Sequence, residues 1–373
     1  MDRSSRRILD CSESLILRSE TNSADGSTPG GVERNRPFGS NCGLMTIEIP
    51  INNKFAVIAL PHVLNVSGQV LFPLRFDGQL WALSHLPFEI DDGWRRWLGL
   101  RADTFRDSNL FLLATAPSQS PAGMDNEDKA LERAARFLYI ALGIQGLHPG
   151  HAGLIIQGAR LPEPRGFDVQ SISDTSRIFR LKGIPSVPFS ASSFVRAAQM
   201  AANIGKLVDR KKQPRLLKGL RSLISGLETD HGEERLHAFV RALDAVVKLP
   251  RGKGNKEFAT RCGTFAGRKD TVRKILLELY LLRNAAEHVN DFRTVFADLI
   301  EPEIERIVLQ RVLQAEKLAS SVYIRILSSD NMTASFANDE WLDELWSRTD
   351  DELDAFWGGT IDLKKLPEPP MKF

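Results

Sequence analysis

The residue types best suited to chemistry cluster in one run, Arg283-Asn284-Ala285-Ala286-Glu287-His288. A guanidinium stays charged and matches two phosphate oxygens at once. Arg283 can therefore hold a scissile phosphate and offset the added charge of a pentavalent transition state. An imidazole titrates near neutrality, so His288 can take the proton of a ribose 2′-hydroxyl or hand one to a departing 5′-oxygen. Asn284 stands one helical turn before His288 and can orient its ring. The set suits phosphodiester cleavage. The same spacing also fits a plain i,i+4 ion pair between Arg283 and Glu287, worth roughly 0.3–0.5 kcal/mol, with His288 left as a helix-end residue. Glu287 is the member of the run not expected to be catalytic.

These residues sit on a helix predicted over 270–289, with Asp270 as its N-cap. With Val272 as zero and about 100° per residue, Ile275, Leu279, Leu282, Ala286 and Val289 fall in an arc centred near roughly 300°, a core-facing stripe. Leu277, Leu281, Asn284 and His288 fall between about 120° and 180°, so a second, partly apolar face also requires cover. Arg283 lies about 140° from His288 and reaches round by its long side chain. Near the helix C-terminus the macrodipole favours an imidazolium at His288, the form a general acid needs.

Further helices are predicted over 191–208, 214–227, 233–249, 256–266 and 292–328, followed by a last amphipathic piece over 338–358 within an acidic, Trp-rich segment over 329–373. Ahead of Pro188 the pattern is different. Short apolar runs at 46–51, 55–60, 69–76, 80–83, 110–114 and 153–157 read as strands, and 127–144 as a helix. The expected fold is an α+β N-terminal domain over 45–185, joined by a linker near Gly183–Pro188 to an all-α bundle over 189–328. Residues 1–44, rich in Ser, Gly, Asn and Arg, are expected to be disordered. Met45 directly precedes the first patterned segment and is an expected translation start, with 1–44 as an extension.

The segment Leu276-Leu277-Glu278-Leu279-Tyr280-Leu281-Leu282-Arg283-Asn284-Ala285-Ala286-Glu287-His288 resembles the signature helix of the HEPN superfamily, with its Arg, following polar residue and His a few positions on. The Tyr-x-x-Arg-Asn opening, residues 235–245 and Phe258-Ala259-Thr260-Arg261 resemble its ApeA-like branch, found in bacterial defence operons. The likeness covers roughly residues 190–328. It implies a HEPN-type helical bundle that dimerises so that two motif copies face each other, and a metal-independent endoribonuclease leaving a 2′,3′-cyclic phosphate. Arg283 and His288 would be catalytic and Asn284 supportive, with Leu277 and Leu281 in the dimer interface beside the site. The family often has glycine after the histidine, where this chain has Val289-Asn290. A catalytically silent scaffold that binds RNA or a partner protein is the alternative. A trigger ligand or protein is expected at the N-terminal domain.

Charge adds a direction of approach. Lys plus Arg (49) nearly balances Asp plus Glu (47), yet basic residues concentrate at 206–221 and again at 248–274, and Arg261, Arg273 and Lys274 are the expected RNA contacts. Other chemistries find little support. Cys11, Cys42 and Cys262 form no CxxC or Cys/His cluster, so neither a zinc site nor a disulfide framework is expected, and a reducing cytoplasmic setting fits. His148-Pro149-Gly150-His151 reads as a turn, and Arg251–Lys256 lacks the P-loop pattern. There is no G-x-S-x-G elbow. No cofactor, metal or membrane span is expected.

Overall fold

The computed structural model describes residues 47–366, except 64, 69, 77–78, 90–95, 97, 100, 180–187, 211, 251, 253, 289–291, 297 and 365. The expectations for residues 1–44, for the linker at 183–187 and for Val289-Asn290 lie outside the described residues.

Asn53-Lys54-Phe55-Ala56-Val57-Ile58-Ala59-Leu60-Pro61 is buried at every position and forms β1 (Asn53–Pro61). A strand apolar on both faces belongs in the middle of a sheet. β1 pairs antiparallel with β4 (Ser108–Pro117) on one side and β5 (Leu154–Arg160) on the other. β3 (Leu80–Leu83) and β2 (Leu74–Phe76) extend the sheet beyond β4, and β6 (Phe167–Asp174) beyond β5, giving six antiparallel strands in the order β2-β3-β4-β1-β5-β6. Three points differ from the expectation, the first being that the strand expected over 69–76 is confined to Leu74–Phe76. Residues 47–50 contribute buried Ile49 but no strand. β6, half-exposed along its length, has too few apolar residues for its alternation to stand out at a sheet edge.

One sheet face packs on α1 (Arg101–Arg106) through Phe55, Val57, Phe105, Phe111 and Leu113. The other, presenting Ala56, Ile58 and Leu60, packs on α2 (Asn126–Ile144) through Leu131, Ala135, Leu138 and Leu142. Asp125 caps α2 in a capping box with Asp128. Both carboxylates also hold Lys54 Nζ, at 2.9 and 2.8 Å, with the Lys54 and Asp128 side chains fully enclosed. A buried lysine is tolerated because two acids meet it.

The helical half comprises α3 (Ala191–Val208), α4 (Arg215–Glu228), α5 (Gly232–Val247), α6 (Asn255–Ala266), α7 (Asp270–Glu287) and α8 (Glu301–Leu327). α8 starts later than the expected 292 because Pro302 is accommodated only in a helix's first turn; a 3-10 turn covers 292–295. α7 begins with Asp270 one residue inside the helix, Lys269 being its N-cap. Three short helices follow: α9 (Asp330–Phe336), α10 (Asp339–Leu345) and α11 (Asp350–Trp357). The amphipathic piece over 338–358 thus forms two helices. The break falls where Thr349 forms a new capping box with Glu352.

The Trp-rich segment lies on the bundle. Trp357 meets Phe265 at 4.9 Å, and Arg268 holds Asp350 and Asp354 at 3.1 and 3.0 Å. α2 and α3 carry the sheet's core directly into the helices, so one apolar cluster runs from Ala56 to Leu363, and residues 45–373 form one compact unit. At its centre Arg235, fully buried, donates to Glu316 at 2.6 Å and to Thr229 O at 2.7 Å. Among the described residues no helix is long and apolar enough to cross a membrane.

Candidate functional site

α7 buries Val272, Ile275, Leu276, Leu279, Leu282 and Ala285 against the bundle. Glu278 ties it to α8 through Arg311, with oxygen–nitrogen distances of 2.7 and 2.6 Å. These contacts fix the rotation of α7 and hence what each remaining residue faces. Arg283, with its side chain only 15% exposed, turns toward α5. Its Nη1 lies 2.6 Å from Glu287 Oε2 and donates to Asn284 Oδ1 at 3.0 Å. The guanidinium also lies 5.7 Å from the Tyr280 ring centre, and Tyr280 leans on Phe258. Arg283 is thus held on three sides.

Across from Tyr280, Arg283 and Glu287, α5 presents His237, Arg241 and Asp244, which share a face by i, i+4, i+7 spacing. Charge links the two rows. Burial pushes the His237 imidazole below its ordinary range, Arg283 and Arg241 push the same way, and Glu287 opposes them. Burial pushes the Asp244 carboxyl up, while Arg283, Arg215 and Arg241 pull it back. Burial also raises Tyr280. His237 Nε2 and Arg283 Nε are enclosed without a hydrogen-bond partner among the described residues. His237, Asp244 and Tyr280 were not singled out as site residues from the sequence. Tyr280 and the 235–245 segment carry part of the family resemblance, but the matched spacing of these side chains on two helices means nothing until those helices are known to pack together.

The other sequence-derived site residues are distributed as follows. His288 is exposed at the C-cap of α7, about 140° around the helix from Arg283. Asn284 Oδ1 accepts from Arg283, so within one chain Asn284 joins the arginine and not the imidazole. Leu281 is 40% exposed, whereas Leu277 is half-buried against the core. Arg273 is exposed, and Lys274, also exposed, lies 4.0 Å from Glu278. Both stand roughly 14 Å or more along the axis from Arg283. Arg261 is differently occupied. Its Nη1 donates to Val247 O and Lys248 O, both at 2.7 Å, its Nε holds Glu257 at 2.7 Å, and it lies over Trp346. That side chain ties off the end of α5, and its Nε and Nη1 are already engaged.

Among the described residues no group of three or more His, Cys, Asp or Glu is placed to hold a metal ion. His148 and His151 lie in the loop between α2 and β5, where His151 packs edge-on against His62.

Beside the α5 row a cleft opens between α4, α5 and the start of α10, lined by Arg210, Lys212, Arg215, Lys218, Arg241 and Asp244. Asp244 lines the cleft and also feels the charge of Arg283, so the cleft abuts the held arginine. No protein-family model, curated protein or solved structure matches this chain.

Proposed function

We propose that the chain is a metal-independent endoribonuclease of HEPN type. It acts as a homodimer in the cytoplasm, as a toxin-like effector of bacterial defence, with its N-terminal sheet region sensing a trigger. Arg283 and His288 carry the chemistry and Asn284 supports them. In the reaction a base takes the 2′-hydroxyl proton, the 2′-oxygen attacks phosphorus, and the P–O5′ bond breaks. The products are a 2′,3′-cyclic phosphate and a 5′-hydroxyl that has received a proton from an acid. Arg283 stabilises the charge on the phosphorane oxygens, and His288 moves one of the protons.

The observation that carries this reading is the placement of Arg283. It is an oriented guanidinium, mostly shielded from solvent, whose neighbour Asp244 lines a cationic cleft. His288 points off another flank beside exposed Leu281, an arrangement in which a second copy supplies the histidine and covers the leucine.

One observation favours the alternative, a silent scaffold that binds RNA or a partner protein: Arg283 Nη1 is already engaged by Glu287 and Asn284. Cleavage of mixed RNA in excess EDTA separates the two. The ribonuclease reading expects activity in the wild type and its loss in both Arg283→Ala and His288→Ala. Persistent cleavage in both variants, or none in a wild type supplied with infected-cell extract, sinks it.

A further inference from the structure

α4 and α5 pack closely where Gly219 meets Ala245. A Cβ at Gly219 would stand 2.0 Å from Tyr323 Oη and 2.4 Å from Ala245 Cβ. That close approach brings Arg215 and Lys218 on α4 beside Arg241 and Asp244 on α5, and Arg210 and Lys212 from the preceding loop complete the wall. Three cations elsewhere on the bundle hold acidic partners: Lys206 holds Asp330 at 3.0 Å, Lys248 holds Asp343 at 2.7 Å, and Arg268 holds Asp350 and Asp354. The cleft cations differ. Among the described residues, Arg210, Lys212, Arg215, Lys218 and Arg241 have neither an ion pair nor a side-chain hydrogen bond.

Five unpaired like charges around one concavity repel each other and focus a positive potential there, which an anionic ligand relieves. The cleft holds about 770 Å³, a size that takes ligands on the nucleotide scale. Asp339 and Glu340 on the opposite rim repel phosphates and confine them to the α4–α5 wall. Asp244 is the discriminating group. An ionised carboxylate only accepts hydrogen bonds, Asp244 has no donor among the described residues, and it stands among the cations that would hold phosphates. A ligand that carries a hydrogen-bond donor between its phosphates satisfies this acceptor. A ribose 2′-hydroxyl is such a donor, and it is what DNA lacks.

We propose that this cleft binds the ribose-phosphate backbone of single-stranded RNA, with Arg215, Lys218 and Arg241 on phosphates and Asp244 accepting from a 2′-hydroxyl. The choice of RNA rests on the ribonuclease reading above; the cationic cleft does not. The strand then enters along α4 and reaches Arg283 past Asp244.

The test is fluorescence anisotropy with a labelled single-stranded RNA and a DNA of the same sequence, titrated at several salt concentrations. The protein is the full chain carrying His288→Ala, which leaves the RNA intact. Replacing exposed Lys218 and Arg241 together by Gln should weaken RNA binding about 30-fold at low salt. It should also shrink the slope of log affinity against log salt by about 1.4, the release expected from two phosphates on a single strand. Asp244→Ala should reduce a several-fold preference for RNA over DNA to near unity. Unchanged affinity in the double variant overturns the cleft, and equal binding of RNA and DNA by the parent overturns the part given to Asp244. A mononucleotide that binds as tightly as the RNA overturns the strand. Cleft-dependent RNA binding in a protein whose wild type never cleaves leaves this inference standing and fails only the ribonuclease reading.

Discussion

Arg283 Nη1 lies 2.6 Å from Glu287 Oε2, one helical turn away, and the same nitrogen donates to Asn284 at 3.0 Å. With Glu287 42% exposed, such a pair contributes only about 0.3–0.5 kcal/mol. Its consequence is orientation rather than stability. Glu287→Gln should lower Tm by less than about 2 °C and leave cleavage of RNA within about 3-fold of wild type, whereas Arg283→Ala should cut it by about 100-fold or more. A Glu287→Gln loss as large as that of Arg283→Ala would assign Glu287 a direct role.

Leu281 is a large apolar side chain in water, 40% exposed beside His288. Leu281→Asp should leave the chain folded by circular dichroism, turn dimers into monomers by light scattering, and abolish cleavage along with the dimer. A mass that does not change removes this face from the interface.

Arg261 and the pair Arg273 and Lys274 should behave differently. Losing the charged donors to Val247 O and Lys248 O strips the end of α5 of its partners, so Arg261→Ala should cost about 1.5–3 kcal/mol in urea denaturation. Arg273→Ala and Lys274→Ala, both at exposed positions, should leave the midpoint unchanged while weakening RNA binding modestly.

Asp244 and His237 have opposite pH signatures. Burial raises Asp244 above 3.8, so its folded form resists ionisation and its contribution to stability is lost as pH rises through the folded value. Asp244→Asn should raise Tm near pH 7.5, by an amount that shrinks toward pH 4. Burial lowers His237 below 6.5, so stability falls as pH drops from there through the folded value. His237→Gln should flatten that decline between about pH 7 and pH 5. Parallel curves for variants and wild type would show that neither group titrates in its enclosed form.

Removing Lys54 should expose the cost of an unmatched buried charge. Lys54→Met leaves Asp128 enclosed without its cation, and the domain should lose about 3–5 kcal/mol by urea denaturation. The double variant Lys54→Met with Asp128→Leu should recover much of this, since well-packed apolar groups replace buried pairs at little cost.

Periodicity alone determined the larger division of this protein. Runs such as Phe55–Leu60, and helical patterns such as 191–208, are local patterns that burial imposes on strands and helices, so the sheet-then-helices order was legible. β6 was not, because an edge strand exposed to water need not be apolar. The chemistry of Arg283, Asn284 and His288 was likewise legible as residue type and spacing on one helix. What faces that helix was decided only by tertiary packing. Arg261, basic and near the motif in sequence, is drawn into the end of α5 by unsatisfied carbonyls. Arg241 and Asp244, some 40 residues upstream of the motif, come beside Arg283 and into the cleft because α5 packs against both α4 and α7. The run Arg283–His288 fixes which groups α7 carries, while the rotation set by its buried leucines decides that the arginine turns inward and the histidine outward.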